Sequence, residues 1–258
     1  MRFFRVSTAE GPRWARELSD DTCVLLDDAP WRTPKELGEV KRAGLTLLAP
    51  AEPTKLVCIG RNYRAHAAEL GNAVPKEPLI FLKPPSALAA PDQAIELPPE
   101  SERVEHEGEL TLVIGKRLRD AKSEEEARDA VFAITIANDV TARDLQRADV
   151  QFTRAKSFDT FCPLGPSLVT DLDPNDLALE VRVDGELRQH ARTSAMVFRP
   201  FELVAYVSRI MTLEPGDLLL TGTPEGVAPL TPGQTVTVSL EGVGTLSSPV
   251  VARKRGSA

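Results

Sequence analysis

The chain has 258 residues, 42% of them hydrophobic and 27% charged, a balance that supports a packed core and excludes extended disorder. Its formal net charge is -7 with no long acidic or basic run, and aromatics make up 5%, so a phosphate-binding or base-stacking face is excluded and no nucleic-acid partner is expected. No apolar run approaches the length of a membrane helix and the opening MRFFRVSTAEG lacks the apolar centre of a secretion signal, so a cytoplasmic protein without a membrane partner is expected.

Residues 1–52 read as a small N-terminal α+β domain. Strands are predicted over residues 2–6 and 22–26 and a helix over 33–43, with Pro50 and Pro53 punctuating the exit. Residues 53–258 form the expected catalytic domain. There, short β-type runs dominate, at 55–59, 78–82, 109–114, 132–137, 178–183, 217–220 and 235–240, separated by turn residues. Helices are predicted over 123–130, where Ser123 is followed three residues later by Glu126, and over 199–211, which stops before Pro215 and Gly216. Many strands with few helices predict a mainly β fold with some α, not a doubly wound sheet. Neither GxxxxGK[ST] nor GxGxxG occurs, which removes the usual support for a nucleotide cofactor. Cys23, Cys58 and Cys162 are odd in number and far apart, fitting neither a disulfide framework nor a cysteine metal site. The basic end Arg253-Lys254-Arg255 reads as solvated.

The informative stretch is Arg103-Val104-Glu105-His106-Glu107-Gly108-Glu109-Leu110. In a strand, residues two apart share a face, so Glu105, Glu107 and Glu109 point together while Val104, His106 and Leu110 point away. Crowded carboxylates repel, and a hard divalent cation relieves the repulsion. The buried-looking run at 133–137 delivers Asp139 as a third oxygen donor just past its end. A solvated acidic edge is the plain alternative for the Glu run taken by itself.

His66 and Glu69 are three apart in a helical turn, where a carboxylate can orient the imidazole and raise its basicity for general-base work; a surface contact is the alternative. His106 and His190 have no nameable partner and read as structural. Lys156 lies in an aperiodic segment, RAKSFDTFCPLGP, with the composition of an ordered site loop. TGTPEGV (221–227) reads either as a simple turn or as a loop whose hydroxyls and N–H groups hold a substrate carboxylate.

Six blocks in order, GRNYRAHAAE (60–69), FLKPPSAL (81–88), VEHEGEL (104–110), ANDVTARDLQ (137–146), RAKSFDTFCPLGP (154–166) and LTGTPEGV (220–227), together closely resemble the fumarylacetoacetate hydrolase family, as do the closing strands from 232 to 250. Among its members the chain is most similar to short acylpyruvases, oxaloacetate decarboxylases and 2-hydroxyhepta-2,4-diene-1,7-dioate isomerases. The resemblance implies a mixed β-roll or barrel, usually a homodimer, with one divalent ion per subunit, Mg²⁺ foremost and Mn²⁺ or Ca²⁺ also admissible. It places the metal ligands at Glu107, Glu109 and Asp139, the catalytic groups at His66, Glu69 and Lys156, and substrate-binding groups at Arg143, Gln146 and Thr223. Glu105 falls outside that ligand set, at the rim of the site. Residues 1–50 match poorly.

The implied substrate is a small 2-oxo acid, and the implied chemistry is an enolate stabilised by the metal. Hydrolysis of a C–C bond in an acylpyruvate-like 2,4-dioxo acid is the first expectation, because the His66/Glu69 pair offers a base for water. Decarboxylation of oxaloacetate and isomerisation of a 2-hydroxydienedioate are the alternatives. A protein that binds a 2-oxo acid without turnover is the non-enzyme alternative.

Overall fold

The structure, a computed structural model, describes residues 1–254. It is mainly strand with some helix, as the turn-rich β runs predict. Among the described residues the largest sheet has twelve strands. Its path begins with four N-terminal strands, Glu36–Lys41, Thr22–Leu26, Gly11–Ser19 and Arg2–Thr8. It continues through Cys162–Val169, Val131–Asn138, Gly108–Ile114, Leu218–Leu220, Leu56–Gly60 and Leu79–Lys83. A second sheet of five strands is built around the hairpin Thr235–Leu240 and Gly244–Ala252 with Ala178–Val183 beside it.

Alternation explains how the layers pack. In Gly108–Ile114, Leu110, Leu112 and Ile114 face the five-stranded sheet and meet Val181, Val236, Val238 and Leu246 in one core. The odd-numbered side chains face the other way, where Val113 joins Cys58, Ala133, Ala137, Leu220 and Trp14 in a second core. Gly108 is where the sheets come closest, since a β-carbon there would run into the side chains of Val181 and Val238.

The helix expected over 33–43 is absent. Residues 36–41 form the edge strand Glu36–Lys41, paired with Thr22–Leu26, so the N-terminal segment is built of strands alone. Gly38 and Val40 are weak helix formers, and cross-strand pairing to a half-buried neighbour outweighs any local helical preference. The helices Glu124–Ala130 and Pro200–Ser208 form as expected, the first with the Ser123 hydroxyl accepting from the Glu126 N–H at 3.2 Å. The basic end is not simply solvated: Arg253 donates to Glu100 at 2.6 Å and stacks over Phe158, while Arg255 lies outside the described residues. All three cysteines are free and buried. No helix among the described residues is long and apolar enough to cross a membrane.

Strand direction gathers the site. Leu56–Gly60 and Leu218–Leu220 run parallel, so the segments that follow them, Arg61 onward and Thr221 onward, leave the sheet at the same end. Gly108–Ile114 is antiparallel to Leu218–Leu220 and starts at that end, and Val131–Asn138, antiparallel again, finishes there. Cys162–Val169 also begins there, which brings the preceding Lys156 segment to the same place.

Candidate metal centre and active site

The register pairs Gly108 with Asn138 and Glu109 with Ala137, and the Asp139 N–H then donates to the Glu107 carbonyl at 2.8 Å. Glu107 and Asp139 are therefore neighbours across the ladder with side chains on one side, and Glu109 shares that side through the period of two. One carboxylate oxygen from each of Glu107, Glu109 and Asp139 lies within 4.8 Å of the others, and all three residues are buried.

The expected continuous strand breaks after Glu105, between Val104–Glu105 and Gly108–Ile114. Glu105 is consequently not at a rim. It is 1% exposed and accepts from Arg143 Nε at 2.7 Å and from Arg103 Nε at 2.6 Å. Arg143 also pairs with Glu107 and donates to Gln146 Oε1 at 2.5 Å. Its guanidinium is thus occupied by protein groups, although a substrate contact is expected of it. Thr223 is similarly engaged, donating to the Gly108 carbonyl at 2.9 Å and accepting from Gln189 Nε2 at 2.8 Å.

Lysines supply the remaining compensation. Lys156 Nζ donates to Glu107 Oε2 at 2.7 Å and to Asp139 Oδ2 at 2.6 Å. Lys83 Nζ donates to Asp139 Oδ1 at 2.6 Å and to two backbone carbonyls, those of Val140 and Phe161. Burial by itself pushes the Glu107 carboxyl up, but Lys156 and Arg143 outweigh it and hold the group well below the usual carboxylate range. Burial likewise opposes the Lys156 ammonium, and the charges of Asp139 and Glu107 reverse this and raise it.

Glu109 is different. Among the described residues it has no cationic partner and receives one hydrogen bond, from the Gly222 N–H at 2.6 Å. Burial, then the charges of Asp139 and Glu107, push its carboxyl well above the ordinary range. Hard oxygen donors with one uncompensated buried carboxylate fit a divalent cation, whose charge would offset what Lys83, Arg143 and Lys156 leave over.

His66 Nδ1 lies 3.2 Å from Glu69 Oε2, on the short helix Arg64–Glu69. The second oxygen, Glu69 Oε1, accepts from the Gly226 N–H at 3.0 Å, tying this helix to the TGTPEG turn. That turn holds protein carboxylates with its Gly222 and Gly226 N–H groups, where the sequence admitted either a simple turn or a loop holding a substrate carboxylate. Gly226 adopts φ +97°, and a β-carbon there would collide with the Arg188 carbonyl.

These groups surround a cavity of about 350 Å³. His66, Glu107, Glu109, Asp139, Arg143, Gln146, Lys156 and Thr223 all line it, and Glu69 stands behind His66. Sequence reasoning gave no role to Lys83, Arg61 or Gln189. Lys83 sits in the FLKPPSAL block at the end of an apolar run, where a buried ammonium implies an acidic partner. His106, expected to be structural, is buried with Nδ1 3.0 Å from Gln189 Oε1.

Residues 55–251 match the family model described as fumarylacetoacetate (FAA) hydrolase C-terminal. The chain belongs to the fumarylacetoacetate hydrolase family. That membership places it among enzymes, in a family whose members bind a divalent metal ion. Residues 1–50 match a separate model, Rv2993c-like, N-terminal. The chain is 45% identical to protein Rv2993c of Mycobacterium tuberculosis over 98% of this chain and 99% of the relative. It is 44% identical to the mitochondrial oxaloacetate tautomerase fahd2 of Xenopus laevis, over 82% of this chain and 70% of that protein. A crystal structure of 2-hydroxyhepta-2,4-diene-1,7-dioate isomerase from Mycobacterium marinum superposes with a TM-score of 0.90 at 44% identity, covering 99% of this chain and all of that one.

Proposed function

We propose that this enzyme moves a proton at the carbon beside the keto group of a small 2-oxo acid, interconverting keto and enol forms. One observation carries the reading: His66, backed by Glu69, stands in the wall of the cavity that is also lined by the Glu107, Glu109 and Asp139 carboxylates. Glu107, Glu109 and Asp139 would hold a divalent cation, Mg²⁺ foremost, which when bound would supply positive charge to stabilise the enolate. With Nδ1 held by Glu69, His66 takes the proton from C3 through Nε2 and returns it there in the reverse direction, the C2 oxygen gaining or losing its proton with solvent, while Glu69 stabilises the charged ring. Arg143 and Lys156 hold the carboxylates in place, and Gln146, whose Oε1 is taken by Arg143, keeps its Nε2 as a donor for orienting the acid, while Thr223 lines the cavity with its hydroxyl hydrogen committed to Gly108. The names of the Xenopus and M. marinum relatives, a tautomerase and an isomerase, support a proton shift.

Hydrolysis of an acylpyruvate-like C–C bond is the second reading. It is favoured by the same oriented imidazole, which can deprotonate a water as readily as a carbon acid. Stopped-flow ultraviolet absorbance with enol-oxaloacetate, and separately with acetylpyruvate, each with Mg²⁺ and with EDTA, tests the ranking. Accelerated, Mg²⁺-dependent loss of the enol band supports the proposal. Cleavage of acetylpyruvate without acceleration of the enol–keto step puts hydrolysis first. Tight binding of either acid with no turnover would make the chain a 2-oxo-acid-binding protein instead.

A further inference from the structure

The cavity is lined by four cationic side chains, and they fall into two kinds. Arg143 and Lys156 are buried and committed to carboxylates of the protein. Arg61 and Arg147 line the same cavity, and among the described residues neither makes a hydrogen bond or an ion pair through its guanidinium. Arg147 follows Arg143 by four residues in the helix Arg143–Ala148, so the two share a face one turn apart. Arg143 is 2% exposed while Arg147 is exposed to solvent, which sets Arg147 at the mouth and Arg143 toward the floor.

Arg61 is held in place by its neighbour. It adopts φ +59°, a left-handed conformation that non-glycine residues enter only where the surroundings enforce it. Asn62 enforces it. Its Nδ2 donates to the carbonyls of Thr221 and Phe198 at 2.8 and 3.0 Å, its Oδ1 accepts from the Phe198 N–H at 2.8 Å, and its carbonyl accepts from the Val197 N–H at 2.8 Å. Among the described residues, the acidic side chain that lines the cavity outside the Glu107, Glu109 and Asp139 cluster is Asp149, and it takes both Nε and Nη2 of Arg154, at 2.8 and 2.6 Å. Among the described residues, two guanidiniums without a protein partner therefore line a cavity whose buried Arg143 and Lys156 are already committed, in a chain of net charge -7.

We propose that Arg61 and Arg147 bind a second carboxylate at the far end of the substrate, and that they make the enzyme selective for dicarboxylic over monocarboxylic 2-oxo acids. This rests on the reading above that the 2-oxo-acid end occupies the floor. A planar guanidinium matches a carboxylate with two parallel hydrogen bonds, and a cavity with low-dielectric walls concentrates the field of the pair at its mouth. A neutral far end gains nothing from either arginine.

The test is calorimetric binding to the full-length, Mg²⁺-loaded protein of 2-oxoglutarate and of 2-oxovalerate, which have the same chain length but end in a carboxylate and a methyl group. The unmutated protein is expected to prefer the diacid by roughly tenfold or more, with the preference shrinking as salt rises, as for charges at a solvated mouth. R61Q and R147Q each reduce that ratio, and the double variant brings it near one, with 2-oxovalerate affinity changed less than about twofold. Arg147 is exposed on a helix, so its variant tests the idea even where R61Q disturbs the Asn62 turn. A diacid preference untouched by both variants, equal weakening of both acids, or no binding of either acid by the unmutated protein overturns the proposal. The enol–keto assay separates it from the catalytic reading. Proton transfer with an unaltered acid preference removes the subsite alone, and an arginine-dependent preference without proton transfer removes the catalytic reading alone.

Discussion

Lys156 and Asp139 are joined by a 2.6 Å hydrogen bond inside the protein, and the same ammonium reaches Glu107 at 2.7 Å. The lysine is 2% exposed, so its charge is kept in the interior by these two carboxylates, with the Phe81 ring centroid 5.0 Å from the ammonium. Removing one member of such a buried set leaves the others uncompensated. Lys156→Met is expected to cost about 3–5 kcal/mol of stability in the metal-free protein. A cation bound to the native state alone adds about 2.7 kcal/mol at a concentration 100 times its Kd. Without the ammonium, Glu107 and Asp139 offer more unbalanced negative charge to a cation, so saturating Mg²⁺ should stabilise the variant more than the parent and shrink the loss. Thermal unfolding in EDTA and in Mg²⁺ measures both; an equal loss in the two conditions would disconnect Lys156 from the metal centre.

Local pattern carried the acidic side of this centre. A period of two puts Glu105, Glu107 and Glu109 on one face, the run that ends before Asp139 delivers a further carboxylate, and the family resemblance singles out Glu107 and Glu109 from the three. The cationic side was only partly legible. Lys83 meets Asp139 across 56 residues of sequence, and the Gly222 N–H meets Glu109 across 113, separations at which periodicity says nothing. Glu105 shows where the local rule ends. Alternation sends it to the ligand side at a rim, but the break at His106 and Glu107 frees it to turn to Arg143. The missed strand at Glu36–Lys41 has the same cause, since pairing to Thr22–Leu26 decides a segment whose own preference is weak.

Glu105 gives the second prediction. Its two oxygens accept from Arg103 and Arg143, and it is not among the three clustered carboxylates. Glu105→Ala leaves Arg143 buried with one carboxylate partner, Glu107, where it had two, and is expected to cost about 3–5 kcal/mol, as breaking a buried pair does. Glu105→Gln keeps the shape and one acceptor, and should cost less. Urea unfolding of both variants reads the difference. A Glu105→Ala protein as stable as the parent would mean that Arg143 is satisfied without it.

His66 gives the third. Loss of a positioned general base typically lowers rate by about 10²–10⁴-fold. His66→Asn should reduce the enol–keto rate within that range while leaving 2-oxovalerate affinity within a few fold, because the carboxylates that define the floor are untouched. Glu69→Gln keeps a hydrogen-bonding partner for Nδ1 and loses the charge, so its defect should be smaller. Single-turnover kinetics beside calorimetry separates the two effects. Equal defects in rate and affinity would make His66 a binding group.

The thiols give the last prediction, one with a definite sign in pH. Burial pushes Cys162 up to about 12 and Cys58 well above the ordinary thiol range, and Cys23 is raised in the same way. The thiolate is the reactive form, so at pH 8 the native protein should react with Ellman's reagent far more slowly than the unfolded chain, which exposes all three. Between the unfolded thiol value, about 8.5, and 12, the folded chain keeps a proton on Cys162 that the unfolded chain has lost. The folded state binds more protons there, so the contribution is whole below the unfolded value and is lost as pH climbs towards 12. Cys162→Ala removes this group from the balance, and its unfolding free energy should fall less steeply from pH 8 to 11 than that of the parent. A parallel decline in the two proteins, or one thiol of the native state reacting as fast as a free one, would contradict the burial of the β-strand that Cys162 begins.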